Sequence, residues 1–295
     1  MATVQTMKIP HLGGSQIGFR FGADYDPALP TLVLVNSFTT SSLLYRAQFA
    51  DRTLLDQVNL LAIEPYGHGV TRAGPEQFTY WDTAIANIQV LERLGIDSAF
   101  VLGTSQGGWI AVRMAVLAPD RIRGILPLGT SMDDESPESR ARGCWDADAF
   151  CNPLIDDLAD PVGADWVPSD DYCDGLAESG LGVAVADDVR QFWADQLRST
   201  YRGDEGRRRI RMCAINLRDR DGLVGRLDYV TCPVLWLHGS EDQVYSVENA
   251  RHNIAGFTRA PTVELKVVEG GNHFLSATNP DDVNREALAF IQRWR

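Results

Sequence analysis

Ala99-Phe-Val-Leu-Gly103-Thr104-Ser105-Gln106-Gly107-Gly108-Trp109-Ile110-Ala111 runs without a break from an apolar segment, through a G-x-S-x-G pentapeptide, into apolar positions at helical spacing. A strand that passes at once into a helix needs a sharp turn. A serine on that turn projects its hydroxyl past the C-terminal edge of a sheet, and the crowded backbone tolerates only small residues two positions to either side. Gly103 and Gly107 meet that demand. Because the helix begins at the turn, the backbone N–H of Gln106 points to where an oxyanion would form, at the positive end of the helix dipole. The order of strand, pentapeptide and helix predicts Ser105 as a nucleophile, in preference to a passive serine in a glycine-rich turn.

The same rhythm extends in both directions. Thr31 to Val35, Val58 to Ile63, Ala99 to Leu102, Ile122 to Leu128, Pro233 to Leu237 and Thr262 to Val268 read as strands, and most of them are unalternating apolar runs, as expected of strands covered on both faces. Val4 to Pro10 and Gln16 to Phe21 read as an antiparallel pair about the Gly13-Gly14 turn. Helical spacing fills Thr79 to Leu94, Gln106 to Ala118, Val244 to Ala255 and Pro280 to Trp294, the last opened by Asn279 as cap with Pro280 at its first position. Alternation of this kind predicts a three-layer α/β sandwich around a mostly parallel, eight-stranded sheet. From Ser131 to Val230 no parallel strand is evident, whereas helical patterns and the aromatics Trp145, Phe150, Trp166, Tyr172, Phe192, Trp193 and Tyr201 are. Such an interval is too long for a connection and predicts an inserted subdomain over 131–230, with the core divided between 1–130 and 231–295.

The 295 residues, 44 % hydrophobic and 23 % charged, describe an ordinary globular chain, neither disordered nor fibrous. A net charge of −13 opposes wrapping of nucleic acid or an anionic membrane surface. The imbalance is local: residues 131–188 hold 16 Asp or Glu against Arg140 and Arg142, a solubilising face or, less simply, a filter against anionic substrates. Residues 190–228 carry ten Arg against six acids, including Arg207, Arg208 and Arg209, which reads as a solvated helix face rather than a phosphate site. Five cysteines without a C-x-x-C pair suggest reduced thiols and no zinc site. Met1 to Gly18 has no apolar run of leader length, and no stretch has the length of a membrane span, so a cytoplasmic protein is expected, with a small molecule as partner and a homodimer left open.

A serine hydroxyl is a weak nucleophile, so a base must take its proton and a carboxylate must hold that base in the right tautomer. His273, in the loop between the last predicted strand and the last helix, can reach over the C-terminal edge of the sheet. His11 and His252 read as solvent residues, His238 as a packed strand end, and His68 as part of a turn near the cleft. Asp242 follows the strand Pro233 to Leu237 through Gly239-Ser240 and emerges at the same edge; Glu241 is its neighbour and rival, with Asp133 and Asp134 behind.

On these three places the sequence resembles the α/β-hydrolase superfamily over nearly its whole length. The resemblance implies a helical cap over 131–230 and a second oxyanion donor from the loop Asn36-Ser37-Phe38-Thr39-Thr40, so that the N–H of Phe38 joins that of Gln106. Asn36-Ser37 stands where His-Gly is common, and is similar to the same loop in 3-oxoadipate enol-lactonases. Serine at 105 sets aside the dehalogenase and epoxide-hydrolase chemistry of relatives with a carboxylate nucleophile. A cofactor-independent ester or lactone hydrolase is expected, acting through an acyl-enzyme on a small to medium, largely apolar substrate; carbon-carbon bond hydrolysis of the meta-cleavage type and a slow-turnover receptor are the alternatives. Asn36, Ser37, Trp109, Trp145 and Trp193 are the expected substrate contacts, and no metal is expected.

Overall fold

A computed structural model describes residues 3–295; Met1 and Ala2, within the expected core segment, lie outside the described residues. Among the described residues eight strands, β1 (Gln5–Ile9), β2 (Ser15–Phe21), β3 (Thr31–Val35), β4 (Asn59–Ile63), β5 (Ala99–Thr104), β6 (Ile122–Leu128), β7 (Val234–Gly239) and β8 (Val263–Val268), form one sheet in the order β1-β2-β4-β3-β5-β6-β7-β8. β2 pairs antiparallel with β1 and β4, and every other pairing is parallel. Connected to them are α1 (Arg52–Leu55), α2 (Tyr80–Arg93), α3 (Gln106–Leu117), α4 (Pro137–Ala141), α5 (Ala147–Asp157), α6 (Asp170–Leu181), α7 (Asp187–Thr200), α8 (Gly203–Arg218), α9 (Val247–Ile254), α10 (Leu275–Thr278) and α11 (Pro280–Trp294).

Alternate residues of the parallel strands divide between two cores, which is why those runs are apolar throughout. Val33, Val35, Val101, Ile125 and Trp236 pack with Val90 of α2 and Ile110 and Met114 of α3. Leu32, Leu34, Phe100, Leu102 and Leu126 pack on the opposite face with Leu54 of α1 and Val283 and Phe290 of α11. The sheet is the middle layer of three. From β3 the chain passes to β4 on one side, and β5 lies on the other. At such a reversal the loops after β3 and β5 diverge and leave a crevice at the strand ends.

Five helices, α4 to α8, occupy the interval between β6 and β7. The arginine triplet of α8 departs from the expected solvated face. Arg207 and Arg209 are buried, and only Arg208 is exposed, 3.2 Å from Glu76. The Arg207 guanidinium donates to the carbonyls of Asp157 and Asp160 and lies over the Trp166 ring; that of Arg209 donates to the carbonyls of Thr200 and Gly69 and lies over Tyr201. Asp157 and Thr200 end α5 and α7, where carbonyls lose their intrahelical partners, and a guanidinium has enough donors to satisfy several at once.

Asn279 likewise does not cap α11 with its side chain. α10 runs straight into α11, so the Asn279 N–H donates to Leu275 O while its side chain accepts from the Thr278 hydroxyl at 2.9 Å. His11 is not a free solvent residue either: its Nε2 lies 2.9 Å from Asp82. No helix among the described residues is long and apolar enough to cross a membrane.

Candidate active site

Ser105 stands between β5 and α3 at φ 55°, ψ −119°, a left-handed region that costs a non-glycine residue on the order of 1–3 kcal/mol. The surroundings hold it there. Its N–H donates to Leu128 O at 2.9 Å, and its carbonyl accepts from Gly108 N–H at 2.8 Å and the Thr130 hydroxyl at 2.9 Å. The glycine requirement is steric: a Cβ on Gly103 would lie 2.0 Å from Gly107 O, and one on Gly107 would lie 2.0 Å from Val35 O. The turn can therefore press against both its own helix and the neighbouring strand.

His273 follows β8, and its Nδ1 lies 2.9 and 3.0 Å from the two oxygens of Asp242, which is wholly buried. A carboxylate only accepts, so Nδ1 carries the proton and Nε2 is the basic nitrogen. Asp242 Oδ1 also accepts from the N–H groups of Val244 and Tyr245, at 2.9 and 3.0 Å. Burial by itself would raise the Asp242 pKa, but His273, His238 and the Tyr245 N–H outweigh it and hold the carboxyl below the usual range. His238 is buried with its Nε2 3.6 Å from Asp242 and donating to Tyr245 O at 2.8 Å; burial pushes its pKa down and keeps it neutral. Of the rival acids, Asp133 is engaged by Ser136 and by Arg142 at 3.7 Å, and Asp134 takes part in the same turn. Glu241 makes no hydrogen bond to His273.

Ser105 and His273 border one cavity of about 330 Å³. No hydrogen bond joins their side chains, and such bonds commonly tighten only when a reacting group is in place. Phe38 also borders the cavity, and neither its backbone N–H nor that of Gln106 is taken by an acceptor among the described residues. Free donors beside a serine are what a developing oxyanion requires.

Of the expected substrate contacts, Ser37 and Trp145 lie on the cavity wall. Asn36, Trp109 and Trp193 do not. Trp109 is fully buried one layer behind, edge-on to Tyr245 at 5.4 Å and under the Arg220 guanidinium at 4.3 Å. Trp193 packs against Phe192 on α7, in a buried cluster with Leu181 and Leu275. Asn36 turns its amide into its own loop, donating to Thr40 O at 2.9 Å. Phe150, one of the aromatics of the 131–230 interval, lines the apolar wall together with Leu176, Tyr245 and Phe274, none of which the sequence singles out as a substrate contact. Adjacency to Asp242 and His273 is the available signal for Tyr245 and Phe274, and the run of aromatics in 131–230 is that for Phe150; nothing in α6 marks Leu176.

Behind the wall lies a buried ion pair between Glu135 and Arg220. Trp145 Nε1 donates to Glu135 at 3.2 Å and to the Tyr245 hydroxyl at 3.1 Å. Burial opposes the charge on Arg220, but Glu135 overcomes it and raises the guanidinium further above its ordinary range. The pair thus fixes two rings that face the serine.

A sequence model of the family described as "alpha/beta hydrolase fold" matches residues 30–280. RutD of Caulobacter vibrioides, provisionally named a carbamate hydrolase, is 24 % identical over 229 residues, 74 % of each chain. A 2-hydroxy-6-oxononadienedioate/2-hydroxy-6-oxononatrienedioate hydrolase of Dechloromonas aromatica is 23 % identical over 205 residues, 68 % of this chain and 65 % of that one. Among solved structures, an esterase from Exiguobacterium antarcticum superposes with a TM-score of 0.80 at 18 % identity, over 98 % of this chain and all of the other.

Proposed function

Because this chain belongs to the α/β-hydrolase family, we propose that it is a cofactor-independent serine hydrolase that cleaves an ester or lactone of a small to medium, largely apolar substrate. The observation that carries this is the meeting of Ser105, His273 and Phe38, whose N–H is free, at one cavity, with His273 Nδ1 held by a buried carboxylate. His273 Nε2 takes the proton from Ser105 as Oγ adds to the carbonyl carbon, and the charge on the carbonyl oxygen falls to the N–H groups of Phe38 and Gln106. The bond to the leaving alkoxide then breaks, and that oxygen takes the proton from His273. Water, deprotonated by the same nitrogen, adds to the acyl carbon; the bond to Ser105 Oγ then breaks, Oγ takes the proton back from His273, and the carboxylic acid leaves. In this reading α4 to α8 form a cap, with α5 and α6 closing the cavity through Phe150 and Leu176.

The wall favours neutral substrates. No Lys, Arg, Asp or Glu borders the cavity among the described residues, so a carboxylate on the substrate would lose its hydration without gaining a counter-charge. The Dechloromonas relative's name specifies a dianionic substrate, and the present wall supplies no cation for one. We expect saturable, steady-state hydrolysis of short neutral aryl esters or lactones, with kcat/KM at least about tenfold above that for matched esters bearing a carboxylate on the acyl chain, since leaving one charge unpaired costs more than about 1.4 kcal/mol. Stoichiometric binding with negligible product would instead identify a receptor, and turnover confined to vinylogous diketones would identify carbon-carbon bond hydrolysis.

Chain length is expected to be read by α6. Gly175 lies within this helix, where glycine costs about 0.5–1 kcal/mol relative to alanine, yet a Cβ there would meet nothing within 4 Å. Gly175 is exposed at the edge of the cavity, and a larger side chain there would extend across open space. Gly175→Phe should lower kcat/KM for hexanoyl and longer esters by about tenfold or more while acetyl esters change less than about threefold, the loss of one well-fitted apolar contact being worth roughly 1–3 kcal/mol. Equal losses for all lengths, measured on the same series of p-nitrophenyl esters, would remove Gly175 from the substrate site.

A further inference from the structure

The Gln106 side chain is buried directly behind the nucleophile, and every polar atom it carries is engaged. Its Oε1 is 3.0 Å from the Tyr80 hydroxyl; its Nε2 is 2.9 Å from His68 Nε2 and 3.4 Å from Asn36 O. His68 Nδ1 lies 2.8 Å from Tyr66 O, and a carbonyl only accepts, so Nδ1 holds the proton and Nε2 is a bare acceptor. That fixes the amide. Its nitrogen must face His68 and Asn36 O, giving one hydrogen to each, and its oxygen remains for the Tyr80 hydroxyl. Burial is the main reason that the His68 pKa falls to about 4, with the Tyr66 carbonyl opposing and Arg209 assisting, so the ring stays neutral and the assignment holds.

The two partners of the amide nitrogen belong to different parts of the site. Asn36 opens the loop after β3 and lies two residues before Phe38; its own amide ties that loop through Thr40 O. Gln106 opens α3, directly after Ser105. The bond from Gln106 Nε2 to Asn36 O therefore spans the gap between the loops that carry the N–H groups of Phe38 and Gln106.

We infer that Gln106, with its amide oriented by His68, is a strut that sets the spacing of the two oxyanion donors, and that His68 is a positioning residue for the reaction. This rests on the proposed role of Ser105 and of those two N–H groups. Electrostatic stabilisation acts where charge develops, so a donor displaced by a fraction of an ångström loses its effect on the transition state while ground-state binding by the apolar wall is untouched.

The test uses the full chain and three measurements: steady-state kinetics on a neutral aryl ester, inhibition by a trifluoromethyl ketone that forms an oxyanionic adduct with serine, and inhibition by the matched methyl ketone, which does not. For His68→Phe, kcat should fall about ten- to hundredfold with KM within about threefold. Affinity for the trifluoromethyl ketone should weaken in step and that for the methyl ketone should hold. His68→Gln places an acceptor near the Nε2 position and should recover most of the loss. Gln106→Met keeps the backbone N–H but removes the amide, and should reproduce the defect even if His68→Phe does not fold. A folded His68→Phe or Gln106→Met variant with wild-type kcat, or one in which both ketones lose affinity equally, would overturn the strut. Should Ser105→Ala itself retain the wild-type rate, the catalytic reading and the strut fall together; a dead Ser105→Ala beside a fully active His68→Phe defeats the strut alone.

Discussion

Replacing Ser105 with alanine should lower kcat/KM on activated esters by roughly a thousandfold to a millionfold and abolish labelling by a fluorophosphonate. The expected size follows from what remains. Without the hydroxyl no acyl-enzyme forms, and only the oxyanion donors and the cavity can assist direct attack by water. Stability should change little, because Ser105 is held in its left-handed conformation by backbone groups and by Thr130, none of which involve Oγ. For a chain of 295 residues a melting temperature within about 1.5 °C of wild type would correspond to less than about 1 kcal/mol and shows that loss of rate is chemical rather than structural. Matching rates for Ser105→Ala and wild type across several esters would end the assignment of Ser105 as nucleophile.

Asp242→Asn should cost about ten-thousandfold in kcat with the fold intact, through the tautomer of His273. An amide has one acceptor where the carboxylate has two. The Val244 and Tyr245 N–H groups both donate to Oδ1, so the amide oxygen must stay in that place. Its NH2 then occupies the Oδ2 position, 2.9 Å from His273 Nδ1. Facing a donor, Nδ1 must give up its proton and accept, which puts the ring's hydrogen on Nε2, the nitrogen that has to receive the proton of Ser105. Measuring kcat for Asp242→Asn against Asp242→Ala checks the mechanism. The asparagine variant should be no faster than the alanine variant despite its better fit, and an asparagine variant with near wild-type kcat would show that Asp242 does not orient the base.

Much of this was legible in one dimension because the relevant physics is local. An apolar strand running into glycine, serine and glycine and then a helix leaves few backbone paths, and β5, Ser105 and α3 follow the expected course. The unalternating runs at Thr31–Val35 and Ile122–Leu128 are strands because both faces of the sheet are covered. Asp242 and His273 could be picked out because each follows a strand of a parallel sheet, and such strands all end at one edge.

Other placements depend on which helix lies against which, and no periodicity encodes that. Trp109 recurs at helical spacing from Ser105, but the sequence does not tell whether that face meets the cavity or the core; Tyr245 and Arg220 enclose it. Arg207 and Arg209 look like surface charge until the carbonyl ends of α5 and α7 are brought up to them. His68 is a turn histidine in the sequence, and its Nε2 acquires a partner only when the chain returns with Gln106.

The sequence by itself therefore determined the layered sheet, the strained serine and the edge to which Asp242 and His273 are delivered, since these follow from covalent neighbours and from burial on two faces. Only the tertiary structure decided the wall around the serine and the amide strut behind it. Those rest on contacts between segments far apart in the chain, where the energy of a side chain depends on partners its own neighbours do not specify.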